Sequence, residues 1–91
     1  MSKEDAIRQA KQDLAKRLKI GESQVKEKSV ENADFPDMSL GAPENGEMSA
    51  QIISSGWRIS LEANGQKFEY RADPYQLRLY NYKGKNYLIQ S

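Results

Sequence analysis

The stretch "GWRISLEANGQKFEYRA", residues 56–72, decides the fold. Trp57, Ile59, Leu61 and Ala63 alternate with Arg58, Ser60 and Glu62, the period of a strand with one buried face. Phe68, Tyr70 and Ala72 alternate in the same way with Lys67, Glu69 and Arg71. Between the two runs stands Asn64-Gly65, the strongest short-range signal for a hairpin turn. A two-residue turn pairs Ala63 with Gln66, and so Leu61 with Phe68, Ile59 with Tyr70 and Trp57 with Ala72. From Leu61 outward every apolar residue then meets an apolar partner on one face, while Glu62 meets Lys67 on the other. A slip of one residue would turn a strand's apolar side to water, so the register is specified.

Upstream, "SKEDAIRQAKQDLAKRLKIG" reads as a helix over about residues 3–19. Ser2 is a good N-cap and Asp5, three residues on, completes a weaker form of the capping box. Ile7, Ala10, Leu14 and Leu18 recur at helical spacing, widened by Ala6 and Ala15. Acids lie at its start and bases at its end, as the helix dipole favours. Gly21 is the expected left-handed stop. The stripe is assigned to packing on the sheet, because no other segment could cover it. "SQVKEKSVENADF" supplies one edge strand, about residues 25–32, whose Lys26 and Lys28 discourage pairing with neighbours. Downstream, Asp73-Pro74 breaks the second hairpin strand. "QLRLYNY" alternates Leu77 and Leu79 with Arg78, Tyr80 and Tyr82, and "YLIQ" returns as a short last strand. The expected fold is therefore α+β, one N-terminal helix packed on a single antiparallel sheet of four or five strands. The strands are placed at about 25–32, 56–63, 66–72, 76–82 and 86–90, all in one domain over 1–91.

Composition narrows the function classes. A chain of 91 residues can bury only roughly 60–65% of its unfolded surface. With 37% hydrophobic and 30% charged residues, its core must be thin. Fourteen basic against thirteen acidic residues give a net charge of +1, which argues against a general polyanion binder. No apolar run approaches the roughly 18–20 residues a membrane-spanning helix needs, so no membrane partner is expected. No basic-then-apolar leader opens the sequence, so a cytoplasmic setting is the expectation and an exported one the alternative. Cysteine and histidine are both absent, which removes disulfides, thiolate chemistry and the commonest general base and zinc ligand. No serine sits in a Gly-x-Ser-x-Gly or Ser-x-x-Lys setting, and no phosphate-cradling glycine pattern occurs. Neither an enzyme nor a cofactor is expected.

Three surfaces remain as candidates. The loop "DMSLGAPENGEMSAQ", residues 37–51, carries Asp37, Met38, Glu44, Glu47 and Met48 as a possible partner-binding set. Its Gly41, Pro43 and Gly46 serve shape, and a structural connection is favoured over a recognition loop. Met38 and Met48 are expected to fold against the end of the core, although exposed methionines also suit adaptable binding surfaces. Asp34, Asp37, Glu44 and Glu47 could offer oxygens to calcium, but the spacing lacks the Asp-x-Asp-x-Asp-Gly pattern, and no metal is expected. Arg58, Lys67, Arg71 and Arg78 should share the solvent face of the sheet near Tyr80 and Tyr82, the alternative being a nucleic-acid binder. Glu62 and Glu69 interrupt that patch, and Arg58 stands opposite Arg71, so a solvated, charge-mixed face is preferred. A non-catalytic binding or regulatory module, with another protein as partner, is the functional expectation.

One resemblance adds to this. Phe35-Pro36-Asp37, Leu40-Gly41-Ala42-Pro43, Gly46-Glu47, Gly56-Trp57-Arg58-Ile59 and Tyr70-Arg71 resemble the pattern of a small bacterial domain family without established activity, over about residues 5–73. The resemblance implies that members are often exported or lipid-anchored. The resemblance also implies cysteines in the loop of many relatives where this chain has Ser39 and Ser49, so a bracing disulfide is lost here as a pair, which fits either a reducing compartment or a deliberate replacement of both cysteines. The order of helix and strands is also similar to PepSY domains, which are linked to peptidase regulation.

Overall fold

The computed structural model describes residues 1–91. Helix α1 spans Lys3–Leu18, and a short 3-10 turn at Glu22–Gln24 leads into β1 (Lys26–Phe35). Strands β2 (Ser54–Ala63), β3 (Gln66–Asp73), β4 (Gln76–Tyr82) and β5 (Lys85–Gln90) follow. They form one antiparallel sheet in the order β1-β2-β3-β4-β5. The helix lies on one face, as the α+β reading expects.

Both ends of α1 are held by local chemistry. Ser2 Oγ accepts from Asp5 N at 3.1 Å and Asp5 Oδ2 accepts from Ser2 N at 3.4 Å, closing the capping box. The C-terminal stop differs from expectation. Lys19, not Gly21, takes the left-handed conformation (φ 57°), while Gly21 is extended. Lys19 N bonds to Lys16 O and Ile20 N to Ala15 O, the paired bonds of a Schellman motif. Ile20 is thereby set against the core, and that contact places the stop earlier than glycine would.

The β2–β3 register is the one the sequence dictates, from Ala63 opposite Gln66 to Trp57 opposite Ala72. Ala6, Ala10 and Leu14 of the helix meet Ile59, Leu61, Tyr70, Ala72, Leu77 and Leu79, all fully buried. Leu18, Trp57 and Phe68 close the rim of this layer. One polar group enters it. Tyr70 Oη donates to Asp13 Oδ2 at 2.7 Å, and Arg17 Nε donates to the same oxygen at 2.7 Å. Burial first, and then the bond to Asp13, push the Tyr70 phenol far above its ordinary range. It therefore stays a neutral donor.

Several boundaries move. Strand β1 runs on to Phe35 rather than stopping near residue 32, because β2 begins early enough to pair Phe35 with Ser54. Strand β5 starts at Lys85. Tyr82 changes sides: the β4–β5 register slips between Leu79 and Tyr82, with Asn81 left-handed at φ 52°. Its ring then lies 6.0 Å from Phe68 and 5.6 Å from the Arg17 guanidinium, so it belongs to the helix side. Strict alternation had placed it with Arg78.

Candidate functional site

Much of the face of the sheet opposite the helix is covered. Residues 36–53, which connect β1 to β2, cross it as a strap from the end of β1 to the outer edge of β5. Asp37 organises the strap's first turn. Its Oδ1 accepts from Ser39 N (3.0 Å), Ser39 Oγ (2.7 Å) and Gly41 N (3.0 Å). These bonds hold the carboxyl below its usual range. Leu40 and Gly41 are both left-handed (φ 60° and 65°), and a Cβ on Gly41 would stand 2.9 Å from Arg71 Nη1. Only glycine meets both demands at position 41. The turn buries Leu40 and Ala42 with Phe35 as a second, small apolar layer.

Two sheet arginines fasten the strap. Arg71 Nη1 donates to the carbonyls of Leu40 (3.0 Å) and Gly41 (3.2 Å), and its guanidinium lies 3.7 Å from the Tyr80 ring centroid and 5.4 Å from that of Phe35. Arg58 stands opposite it, and Glu69 Oε2 takes Arg71 Nε at 2.7 Å and Arg58 Nε at 3.3 Å. The like-charge pair is thus bridged by one carboxylate from within the sheet. Arg78 is only 4% exposed. It makes a bidentate bond to Glu47 (Nη1–Oε1 2.6 Å, Nη2–Oε2 2.7 Å), and also reaches Ala42 O at 3.1 Å and Gln76 Oε1 at 2.6 Å. Further along, Glu44 Oε2 accepts from Leu88 N at 2.8 Å and Asn86 Nδ2 donates to Pro43 O at 2.9 Å. Gln76 Nε2 donates to Met38 O at 2.6 Å, and Met38 N to Ala50 O at 3.0 Å.

This geometry redistributes the three candidate surfaces. Arg71 and Arg78 lie under the strap instead of on a solvent face, because the alternation of a strand says which side a residue takes but not what covers that side. Arg58 and Lys67 stay outside, Lys67 lining an open groove with Ser60, Glu69 and Tyr80, and Arg58 half-exposed against Glu69 and the Phe35 ring. The candidate calcium ligands are occupied singly: Asp34 accepts from Ser55 Oγ (2.7 Å), Asp37 holds its turn, Glu44 caps β5 and Glu47 pairs with Arg78. No three of them converge. Within the loop set, the acids Asp37, Glu44 and Glu47 work inward and the methionines point outward. Met48 is 95% and Met38 50% exposed, a correction to the expectation that both fold onto the core. Their turns are fixed by the carboxylates and the arginines, which leaves the thioethers no core to reach. Sequence reasoning missed Ile52 (60% exposed), Ile53 (71%) and Tyr75 (81%). The signal was present: adjacent isoleucines fit neither strand nor helix alternation, in a stretch without charge between Glu47 and Arg58.

The ion pair gives a pH prediction. The hydrogen bonds from Arg78 lower the Glu47 carboxyl from 4.5 to about 2. Since the folded value lies below the unfolded one, the pair's contribution is complete above about pH 4.5 and disappears as pH falls through about 2. Thermal midpoints recorded from pH 5 to 2 should fall more steeply for the wild type than for Glu47→Gln. Parallel curves would show that the carboxylate does not fasten the strap.

Fold and surface together define a small α+β domain with one helix, a five-strand meander and a strapped far face. The chain belongs to the family described as a domain of unknown function (DUF8738), which matches residues 7–79 and so includes the whole strap and both arginines. No curated protein and no solved structure matches it.

Proposed function

We propose that this domain is a non-catalytic protein-binding module, and that its partner seats on the end of the sheet where the strap leaves β1 and rejoins β2. One observation carries the reading. Of the five large apolar side chains that are exposed, Met38, Met48, Ile52, Ile53 and Tyr75, four (Met38, Ile52, Ile53 and Tyr75) belong to segments that meet at this end. Gln76 ties the β3–β4 turn bearing Tyr75 to Met38, which is tied in turn to Ala50. A domain with a thin core gains nothing for its own stability by leaving these residues in water, and clustered exposed apolar surface marks interaction sites. Unbranched methionines beside branched isoleucines supply an adaptable contact. The inward-facing half of the strap supplies the rigidity such a surface needs. The helix-then-strands order, similar to PepSY domains, makes a regulatory role toward a peptidase the first one to test. A nucleic-acid role for the far face is disfavoured, since the strap occupies Arg71 and Arg78.

The test uses a partner isolated with the wild-type chain and then reconstituted from purified components. Joint replacement Ile52→Glu and Ile53→Glu should change stability by only about 0.5 kcal/mol, as surface substitutions do. It should weaken the reconstituted complex about tenfold or more, as loss of a central contact does. Lys67→Glu, on the open groove, should leave binding unchanged. Wild-type affinity in the double variant would end the proposal.

A further inference from the structure

We infer that Ser49–Ile53 is a strand-acceptor site, to which an extended segment of another protein, apolar at its centre and flanked by Lys or Arg, adds by backbone pairing. This rests on the protein-binding reading above and specifies its chemistry. None of the backbone N–H groups from Met48 to Ile53 has a partner within the chain, and of their carbonyls only those of Ala50 and Ile52 accept bonds, from Met38 N and Ser54 Oγ. The segment runs without turn or bend from Glu47 straight into β2 at Ser54. On its β1 side it keeps a single bond: β1 ends at Phe35, opposite Ser54, the chain bends at Pro36, and only Met38 N returns to it, at Ala50 O. A segment that leads directly into a strand with its backbone donors and acceptors free is a template for another strand.

The two regular edges of the sheet are guarded, and this one is not. On β5, Glu44 already takes the Leu88 N–H. On β1, the register slips at Lys28, between Glu27 and Ser29, and Lys26 and Lys28 stand along the edge. Residues 48–57 hold no charge at all, in a chain that is 30% charged. Nothing there opposes pairing.

Charge selects the occupant. Asp34 and Asp37, at this end, accept only neutral N–H or O–H donors within the chain, whereas the nearby Arg58, Arg71 and Arg78 are engaged by Glu69, Glu47 and carbonyls, and the N-terminal ammonium by Pro74 O. The site therefore offers an apolar, hydrogen-bonding centre inside an acidic surround. Lys or Arg at the ends of an incoming strand complements it. A second copy of this chain does not, because pairing two such segments would bring both sets of carboxylates together.

The experiment titrates the intact domain with a synthetic peptide of alternating valine and threonine carrying two lysines at each end. Two control peptides replace the lysines by glutamates or N-methylate alternate central amides. The lysine peptide should protect the amides of Gln51, Ile52 and Ile53 from hydrogen exchange. It should bind about tenfold or more tightly than the glutamate peptide at low salt, the difference shrinking as salt is added. N-methylation, or Ile53→Pro in the domain, should abolish the protection. The inference is overturned if these amides stay unprotected, or if the N-methylated peptide binds as well as its parent. It is equally overturned if the domain alone self-associates with rising concentration and protects the same amides, since the occupant would then be a second copy. Should N-methylation change nothing while the Ile52→Glu, Ile53→Glu variant loses its natural partner, docking at this end stands and strand pairing falls.

Discussion

Arg78→Ala should destabilise the domain by about 3 kcal/mol, the lower end of what breaking a buried ion pair costs. The arginine is buried and gives hydrogen bonds to Gln76, Ala42 and both oxygens of Glu47. Alanine abandons the Ala42 carbonyl and detaches the strap from β4. The loss stays at the lower end because Glu47 is 28% exposed and can turn to water once its partner is gone. Arg78→Lys should recover only part of the loss, since an ammonium cannot form the forked pair. Amide exchange separates local from global effects: Leu40, Ala42 and Glu47 should exchange much faster in Arg78→Ala, while amides of the β2–β3 pair follow the overall stability. An unchanged urea midpoint together with wild-type protection in the strap would refute the fastening role.

Leu14→Ala acts on the other face and should cost about 2–5 kcal/mol. Leu14 is fully buried between α1 and the sheet, in the same layer as Ile59, Leu61, Tyr70 and Leu79. Its neighbours along the helix stripe, Ala6, Ala10 and Ala15, are small and cannot move in to fill the gap. A domain of this size holds only about 5–15 kcal/mol in all, so the variant should melt well below the wild type. Strap amides should keep their protection relative to the global value, because the helix and the strap pack on opposite faces. An unchanged denaturation midpoint would mean that the helix does not carry the core.

The contrast between these two residues shows what could be read from the chain. Leu14 and the β2–β3 hairpin announce themselves, because burial on one face writes a period into the sequence and Asn64-Gly65 fixes where it reverses. Arg78 does not. At its position in β4 an arginine reads as a surface residue, and only a segment some thirty residues earlier turns it into an anchor. Tyr82 was misplaced for a related reason: a single left-handed residue, Asn81, breaks the alternation that the reading relied on. Asp37, Glu44 and Glu47 were visible as marked residues, but their work as hydrogen-bond hubs depends on backbone groups that no pattern of side chains reveals. The outward apolar cluster needed the strap's path, since Ile52 and Ile53 precede β2, which begins at Ser54, and their spacing does not say which way they face.

The strap also imposes an order in time. Its fastenings join residues far apart in sequence: Glu47 to Arg78 spans 31 positions and Glu44 to Leu88 spans 44. During synthesis, residues 36–53 emerge before any of the strands that will hold them, at about 5–20 residues per second. The helix and the β2–β3 hairpin can form from what is already present, whereas the strap waits for the last strand. Contacts of such separation form late and slow the folding rate. Until Arg71 and then Arg78 emerge, Glu47 and the carbonyls from Leu40 to Ala42 have no partners, so the first turns of the strap settle only as β3 and β4 appear, and its outer end only with Leu88.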